Sequence, residues 1–367
     1  MELTEKDLPA IYEELIGFVK SVLVLPSYPD SGLDDVFYHI YALWVLSTWK
    51  RDVWNTVPFL YFIGLPGSGK SHSLQVLSFL CYRGCFLNHI TPAGIPRLSH
   101  YYQPTMLVDE ADSLLGGRKR GGEVFSFLKG SYKRGGKYIF CDLDDPKGLI
   151  SINNYCFKAF ACERDTIDTS LRQRGIVFYM FRNIPCIREL NDVKDEIKRL
   201  QAIFLNYRYK IIDPPEIPED FPLSGRTFEI FEPLIRTALL FKPEIVPKLI
   251  RFAKEREKEE TERERSSFYF EIISALHSIV NSYNKIGEDG EITYSLLLNE
   301  MGLDAQDIQN KKRLGRYLKE LGFRVNIGGH GRDRYRYIDY NDKKTRLLIY
   351  NLFKRFNLET PNERLPC

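Results

Sequence analysis

Apolar positions along the chain follow two different periods. Leu8, Ile11, Leu15, Val19 and Val22 recur at three- and four-residue spacing, as do Phe37, Ile40, Tyr41, Trp44, Val45 and Thr48 behind the acids Asp34 and Asp35. This predicts two helices, the second with carboxylates at its positive end. From Phe59 the pattern changes to short unbroken apolar runs, Phe59–Ile63, Thr105–Val108, Cys156–Ala161 and Ile176–Met180. Such runs read as strands buried on both faces. Their helix-length separations predict a parallel α/β core over residues 56–185, behind a helical region over 1–55.

Past the core, Pro214, Pro215, Pro218 and Pro222 punctuate an ordered linker, and helical periodicity resumes from Arg226 to Arg251. Residues 251–265 hold six basic and six acidic residues, with Glu255 to Lys258 and Glu259 to Arg263 at helical pairing distance. This stretch reads as a solvated connector that closes a helical lid region over 186–265. The last region, 266–367, opens on an amphipathic helix carrying Tyr269, Ile272, Ile273, Leu276, Ile279 and Val280. There follow a short helix (Leu296–Met301), a turn at Gly302, a second helix (Ile308–Leu321) and strands over Phe323–Ile327 and Arg334–Tyr340 around Gly328–Gly331. Helix, helix, hairpin is the order of a winged helix.

Composition narrows the class without naming a function. The 367 residues are 44% hydrophobic and 28% charged, with a net charge of +3, which excludes a disordered or collagen-like chain. The seven Cys form no CxxC pair and the six His are dispersed, so no zinc-ligand cluster is expected and a reducing, cytoplasmic setting is. The N-terminal Met-Glu-Leu-Thr-Glu has acids where a secretory signal needs positive charge, and no stretch stays apolar for the roughly 18 residues a membrane helix needs. No membrane partner is expected.

The chemistry begins directly after the first strand run, where Gly64-Leu-Pro-Gly-Ser-Gly69-Lys70-Ser71 fits G-x-x-x-x-G-K-[ST] at every fixed position. In this Walker A loop, Gly64, Pro66, Gly67, Ser68 and Gly69 would wrap backbone N–H groups around the phosphates of ATP. Lys70 would reach the β- and γ-phosphates, and Ser71 would ligate Mg²⁺. The second strand run ends Leu107-Val108-Asp109-Glu110, a Walker B pattern in which Asp109 holds Mg²⁺ and Glu110 polarises the attacking water. Residues 109–112 spell D-E-A-D, but a DEAD-box helicase needs two RecA-like domains, and the region after the lid shows no second parallel core. Before the last strand run, Arg174 is the first candidate and Arg172 the second for an arginine finger supplied to a neighbouring subunit. Arg226, opening the lid helix, is placed to reach the nucleotide. Cys162-Glu163-Arg164 stands where a sensor-one Asn or Thr is usual, so that role is unassigned.

From about Val24 to Arg182, and more weakly to about Leu240, the sequence resembles the AAA+ helicase-like ATPase domain, formally of unknown function, of plasmid, phage and prophage primase-helicases. The resemblance is carried by Ala42-Leu43-Trp44 with Thr48-Trp49, the Walker A loop, Thr91-Pro92-Ala93 with Arg97, Pro104 through Asp112, Gly130 through Gly136, Arg174 with Ile176, Arg182, and Arg226 followed by Glu232-Pro233-Leu234. It implies a P-loop AAA+ sheet core and a replication-linked, DNA-dependent ATPase using ATP and Mg²⁺. It also implies assembly as a homo-oligomeric ring, expected to be a hexamer, with Arg174 as the matched arginine. Two departures stand out: no primase domain precedes the ATPase, so priming would come from a separate primase or polymerase, and the Cys162-Glu163 pair lacks the usual sensor.

DNA contacts are expected at three places. Lys137–Asp142 and Leu149–Ile152 flank a Pro/Asp/Gly turn, a β-hairpin with Lys147 at its tip. Residues 116–137 form a glycine-flanked basic loop that includes Lys119. Residues 308–336 hold nine Lys and Arg against two acids. Arg313, Arg316 and Lys319 lie on the second helix of the winged-helix pattern, and Arg332 and Arg334 on its wing. The whole reads as an ATP-dependent DNA helicase or translocase of a plasmid- or virus-type replication system, the alternative being an initiator or loader that binds DNA without processive unwinding.

Overall fold

The run at Phe59 becomes the centre of a sheet. In the computed structural model, residues 5–28, 31–115, 122–141, 148–181, 188–210, 214–218, 220–265, 268–282, 286, 289–331, 333–356 and 358–359 are described. The chain divides into two units, 1–255 and 256–367. The first contains α1 (Leu8–Val22), α2 (Val36–Trp49), β1 (Phe59–Ile63), α3 (Lys70–Leu80), β2 (Gly84–Leu87), α4 (Gly94–Tyr102), β3 (Thr105–Val108), α5 (Asp112–Leu115), α6 (Gly122–Gly130), β4 (Lys137–Cys141), β5 (Leu149–Asn153), β6 (Lys158–Cys162), α7 (Thr169–Arg172), β7 (Gly175–Tyr179), α8 (Lys194–Tyr209) and α9 (Gly225–Phe241), and α10 (Val246–Arg265) begins in it.

Five parallel strands form a mixed α/β core in the order β2-β3-β6-β1-β7. Strand β1 is buried along its whole length and sits between β6 and β7, with Leu60 opposite Ala159 and Phe59 opposite Gly175. A side chain on Gly175 would place its Cβ 2.5 Å from both Phe59 O and Tyr61 Cε2, so only glycine lets β7 close on β1. The two apolar strands named from sequence as Cys156–Ala161 and Ile176–Met180 are realised one or two residues shifted, as β6 and β7. Strand β2, half-buried at the sheet edge, adds a fifth strand that an apolar-run criterion passes over.

Helix α2 buries thirteen of its fourteen residues, so it is apolar all round rather than amphipathic, as a helix packed on every side must be. Its polar atoms are spent on fixing neighbours: Trp44 Nε1 donates to Pro58 O at 2.8 Å just before β1, and Tyr41 OH donates to Ser73 O at 2.8 Å in α3. The loop between β1 and α3 is thereby held from behind. The helical stretch predicted over Arg226–Arg251 is interrupted, because α9 ends at Phe241 and a 3-10 turn, Pro243–Ile245, precedes α10; Pro243 has no N–H to continue the helix.

The second unit comprises α11 (Phe268–Asn281), β8 (Glu291–Thr293), α12 (Tyr294–Glu300), α13 (Ile308–Glu320), β9 (Asn326–Gly328), β10 (Tyr335–Asp339) and α14 (Lys343–Arg355). Its three strands form an antiparallel sheet in the order β8-β10-β9. Ile272, Leu276, Leu297, Leu314, Leu318, Ile338 and Phe353 make a separate core. Asp307 caps α13 by accepting from Gln309 N at 2.8 Å. Strand β8 and helix α14 extend the helix–helix–hairpin pattern read from sequence.

Candidate nucleotide-binding site

The carboxyl ends of parallel strands face one edge of the sheet, the usual place for a ligand in an open α/β fold. Here the loop after β1 and the end of β3 share that edge with β6 between them. The loop needs its glycines: Gly67 and Gly69 have φ of 77° and 87°, and a Cβ on Gly64 would lie 2.2 Å from Met180 O. Lys70, at the start of α3, folds back over this loop and donates to Gly64 O at 2.6 Å and Leu65 O at 2.9 Å. Ser68 is buried, and its Oγ has no hydrogen-bond partner.

Opposite, Asp109 N is fixed by Leu87 O at 2.9 Å, and Asp109 Oδ1 accepts from Glu110 N at 3.0 Å. Glu110 is exposed and adopts a φ of 51°, a left-handed conformation unusual for a non-glycine residue. The next acid explains how the turn is kept. Asp112 accepts from Glu163 N at 3.1 and 3.0 Å and from Arg164 N at 3.1 Å, and Ala111 N donates to Ala161 O at 2.8 Å. The turn after β3 is thus stitched to the end of β6.

These groups line one cleft of about 1140 Å³, bounded by Pro66–His72, Asp109, Glu110, Asp112, Ser113 and Ala161–Arg164 with Thr166. Lys70, Ser71, Asp109 and Glu110 are brought together, as are Pro66, Gly67, Ser68 and Gly69, while Gly64 packs behind the loop. Asp112, Glu163, Arg164 and Thr166 are additional lining residues. Cys162 is buried and its thiol is pushed well up, first by burial and then by Asp112, so it stays protonated at neutral pH. Four carboxylates face Lys70 and Arg164 here, so a triphosphate would enter with a divalent cation. Among the described residues no three His, Cys, Asp or Glu side chains converge as a metal cage, and Mg²⁺ is typically held by one or two carboxylates together with phosphate oxygens. The unpartnered Ser68 Oγ, the glycine cradle and a lysine bonded to main-chain carbonyls fit a nucleoside triphosphate with Mg²⁺.

The three arginines are placed elsewhere. Arg172 is buried and pairs with Asp165 at 2.6 Å and Tyr179 OH at 2.7 Å, so its guanidinium is not presented outward to a neighbour. Arg174 donates to Lys129 O at 2.9 Å and to Ser170 O, and Arg226 to Glu229 at 2.6 Å and to Tyr132 OH. Neither lines the cleft. Both lie at the opposite end of the strands, where Phe59 N donates to Arg174 O. The expectation that Arg226 reaches the nucleotide of its own chain is therefore corrected by geometry.

Of the residues read as DNA contacts, Lys147, Lys119 and Arg332 lie outside the described residues. Arg313, Arg316 and Lys319 are exposed on α13, and Arg334 is exposed ahead of β10. Arg313 stacks 3.8 Å above the Phe268 ring and Arg316 lies 5.3 Å from the Tyr317 ring. Strands β4 and β5 pair antiparallel and expose Ile139 and Leu149. Among the described residues no helix is long and apolar enough to cross a membrane.

No family model matches the chain, and no curated protein matches it. Among solved structures, the apo A form of the NrS-1 C-terminal region is 14% identical, covering 91% of this chain and 76% of that one at a TM-score of 0.41. The active helicase Cch of SCCmec type IV is 13% identical, covering 85% of this chain and 68% of that one at 0.39. Cdc6p from Pyrobaculum aerophilum is 14% identical, covering 93% and 98% at 0.25. Likeness of this degree identifies no family, and what the chain does rests on its own residues.

Proposed function

We propose that the protein is an ATP-dependent DNA helicase or translocase of a plasmid- or virus-type replication system, built on an AAA+ core and working as a homo-oligomeric ring. The observation that carries the reading is the convergence of Lys70, Ser71, Asp109 and Glu110 in one cleft. The sheet order supports it, because the Walker A and Walker B strands stand one strand apart, the AAA+ arrangement. For DNA, the second unit has the element order of a winged helix, and α13 presents Arg313, Arg316 and Lys319 from its exposed face. The antiparallel pair β4–β5 comes just before β6 in the chain, the place where ring helicases similar to this carry a hairpin into the central pore.

When bound, Mg²⁺ would offset phosphate charge and organise the in-line displacement. The chain's own groups do the rest. Lys70 exchanges two carbonyl partners for phosphate oxygens, and the N–H groups at the start of α3 converge on the same anion. Ser71 and Asp109 are the residues placed to hold the metal. Glu110 reaches from a fixed turn to orient and deprotonate water, and the exposed carboxylate is solvated until a neighbour or ligand closes the cleft.

The winged-helix order also suits an initiator or loader that reads an origin, and one experiment separates the two. ATP turnover and strand displacement are measured with wild type and Glu110→Gln. The helicase reading expects DNA-stimulated turnover and displacement in wild type, with turnover falling at least about 100-fold in Glu110→Gln while nucleotide binding persists. DNA-stimulated turnover without displacement would assign the chain to the initiator class, and unchanged turnover in Glu110→Gln would remove Glu110 from the chemistry.

A further inference from the structure

A second cavity, of about 350 Å³, is lined in part by Arg51, Asp52, Gln103, Arg134, Lys137 and Tyr155 and shares no residue with the cleft. Arg51 is only 7% exposed, yet its guanidinium donates to main-chain carbonyls, Gln103 O and, at 3.5 Å, Tyr155 O. Arg134 does the same toward Trp54 O at 2.9 Å and Arg51 O at 2.7 Å, and its Cζ lies 5.3 Å from the centre of the Tyr155 ring. Lys137 is exposed at the start of β4. Among the described lining residues, Asp52 is the one acid facing these three cations. Its carboxylate stands 3.9 Å from Arg51 Nε, beyond a hydrogen bond, and its other oxygen accepts from Arg208 at 2.7 Å. Carbonyl dipoles satisfy N–H groups but leave the charge unbalanced, which is costly for a buried guanidinium. The backbone at this corner is strained as well, because Gln103 holds a φ of 44°, a left-handed conformation uncommon outside glycine and concentrated at ligand sites.

The charge that would complete this cavity is an oxyanion able to accept paired N–H donors, as a phosphate does from arginine. Two features favour a phosphate carried on an unpaired nucleic-acid strand over a small anion. Lys137 pairs with Asn153, Ile139 with Ser151 and Cys141 with Leu149, so these positions share one face of the hairpin. That face leads from the cavity, which Asn153 also lines, to the exposed side chains of Ile139 and Leu149. In addition, Asn153 N donates to His100 Nδ1 at 3.2 Å, and the His100 ring meets the Tyr101 ring edge-on at 4.9 Å. Tyr101 and Tyr102 are 71% and 64% exposed, and Tyr102 directly precedes Gln103 of the cavity wall. Bare rings beside a basic hollow are what a single strand, with its base faces uncovered, can stack on, whereas paired bases are already stacked on one another.

We propose that this cavity holds a backbone phosphate of single-stranded DNA, with Arg51 and Arg134 as its paired donors, Lys137 as a further cation, and the flanking bases on Tyr101 and Tyr102. The inference rests on the reading of the chain as a DNA-dependent ATPase, and adds to it a site for the unpaired strand that is distinct from the basic face of α13.

The test follows fluorescence anisotropy of labelled oligo-dT, and of a duplex of equal length, with the full chain over a salt series. Arg134→Gln and Lys137→Gln each lower the salt slope for oligo-dT by about 0.7, the share of one phosphate on a single strand, while Arg134→Lys, which keeps the charge, keeps the slope. Tyr101→Ala combined with Tyr102→Ala weakens oligo-dT binding about 10-fold or more at constant slope. Duplex binding changes little in all of these, and Arg316→Gln on α13 shows the reverse preference. A thermal melt accompanies each variant, and exposed Lys137 keeps the test open should Arg134→Gln fail to fold. Unchanged slopes in both Arg134→Gln and Lys137→Gln, or equal losses on duplex and oligo-dT, overturn the inference. So does binding of inorganic phosphate, read by titration calorimetry, that Arg134→Gln abolishes while oligo-dT binding persists, which would give the cavity to a small anion. If wild type binds neither oligo-dT nor duplex, the DNA reading itself fails and the inference with it.

Discussion

Replacing Asp112 by Ala tests whether the turn that carries Glu110 is held by a side chain that fixes main-chain groups rather than the reacting atoms. The carboxylate accepts from two main-chain donors, Glu163 N and Arg164 N, at 3.0–3.1 Å. Hydrogen bonds to a charged group contribute about 1.5–3 kcal/mol each, an upper bound of about 3–6 kcal/mol for the pair. The site is open to solvent and water can take over the freed N–H groups, so the net loss expected is nearer about 1–2 kcal/mol. This is comparable to the about 1–3 kcal/mol that a non-glycine residue pays in a left-handed conformation, and Glu110 sits at φ 51°. Without the Asp112 tie the turn can relax and withdraw Glu110 from the cleft. A barrier higher by about 1–2 kcal/mol corresponds to a kcat lower by about 5- to 30-fold.

Steady-state ATPase kinetics with a parallel thermal melt reads both effects. Asp112→Ala should lower kcat with KM little changed, because Lys70 and the glycine loop are untouched, and Asp112→Asn, which keeps one acceptor oxygen, should fall between it and wild type. A melt shifted down with kcat intact would show that the tie only stabilises the fold. A rise in KM at constant kcat would place Asp112 in nucleotide binding and refute the positioning argument.

Three further outcomes follow from the same geometry. Lys158 is fully buried at the start of β6, donates to main-chain Asn154 O and Cys156 O, and has its pKa lowered by burial. Below that lowered pKa the buried charge destabilises the fold, and stability recovers as pH rises toward the ordinary lysine value. The unfolding free energy from urea titrations should therefore climb with pH in that window by at most about 1.4 kcal/mol per pH unit and lose that component in Lys158→Met; identical slopes would refute it. Gly175→Ala drives a Cβ to 2.5 Å from Phe59 O, an overpacking that should cost about 1–3 kcal/mol by denaturant unfolding, and a neutral result would mean that β7 shifts freely. On α13, Arg316→Gln and Lys319→Gln should each lower the salt slope of DNA binding by about 1, whereas Arg313→Gln should also lower thermal stability through the lost stack on Phe268 at 3.8 Å.

The glycine-rich loop after β1 could be placed from sequence because its pattern is local: glycines, lysine and hydroxyl lie within eight residues, and the strand before them is buried along its whole length. The five-stranded core was nearly so. What hid β2 was its edge position, where half-burial leaves Gly84-Cys85-Phe86-Leu87 without the continuous apolar run of β1. Asp112 was readable only as the last letter of D-E-A-D. Its role depends on main-chain donors of Glu163 and Arg164, some fifty residues away in sequence, and no pattern of side chains announces a pair of N–H groups that need an acceptor. The search that could have found it starts from β6, where the chain leaves the sheet at Cys162 and the next two N–H groups must be satisfied.

Arg226 shows the sharper limit. Sequence order places it after the whole core, at the start of a helix that can fold over either edge of a sheet, and nothing in its local pattern distinguishes the carboxyl ends of the strands from the amino ends. The deciding facts are tertiary: Thr56 anchors Glu229 O, Tyr132 lies between Arg226 and Arg174, and Val57 N donates to Tyr132 O at 2.8 Å. Each belongs to the amino-terminal end of β1. Strand β1 is buried along its whole length, and its five residues set the two ends of the sheet about 16 Å apart at roughly 3.3 Å per residue. A side chain at the far end is therefore out of reach of the cleft in its own chain, which is why neither Arg174 nor Arg226 is among its lining residues.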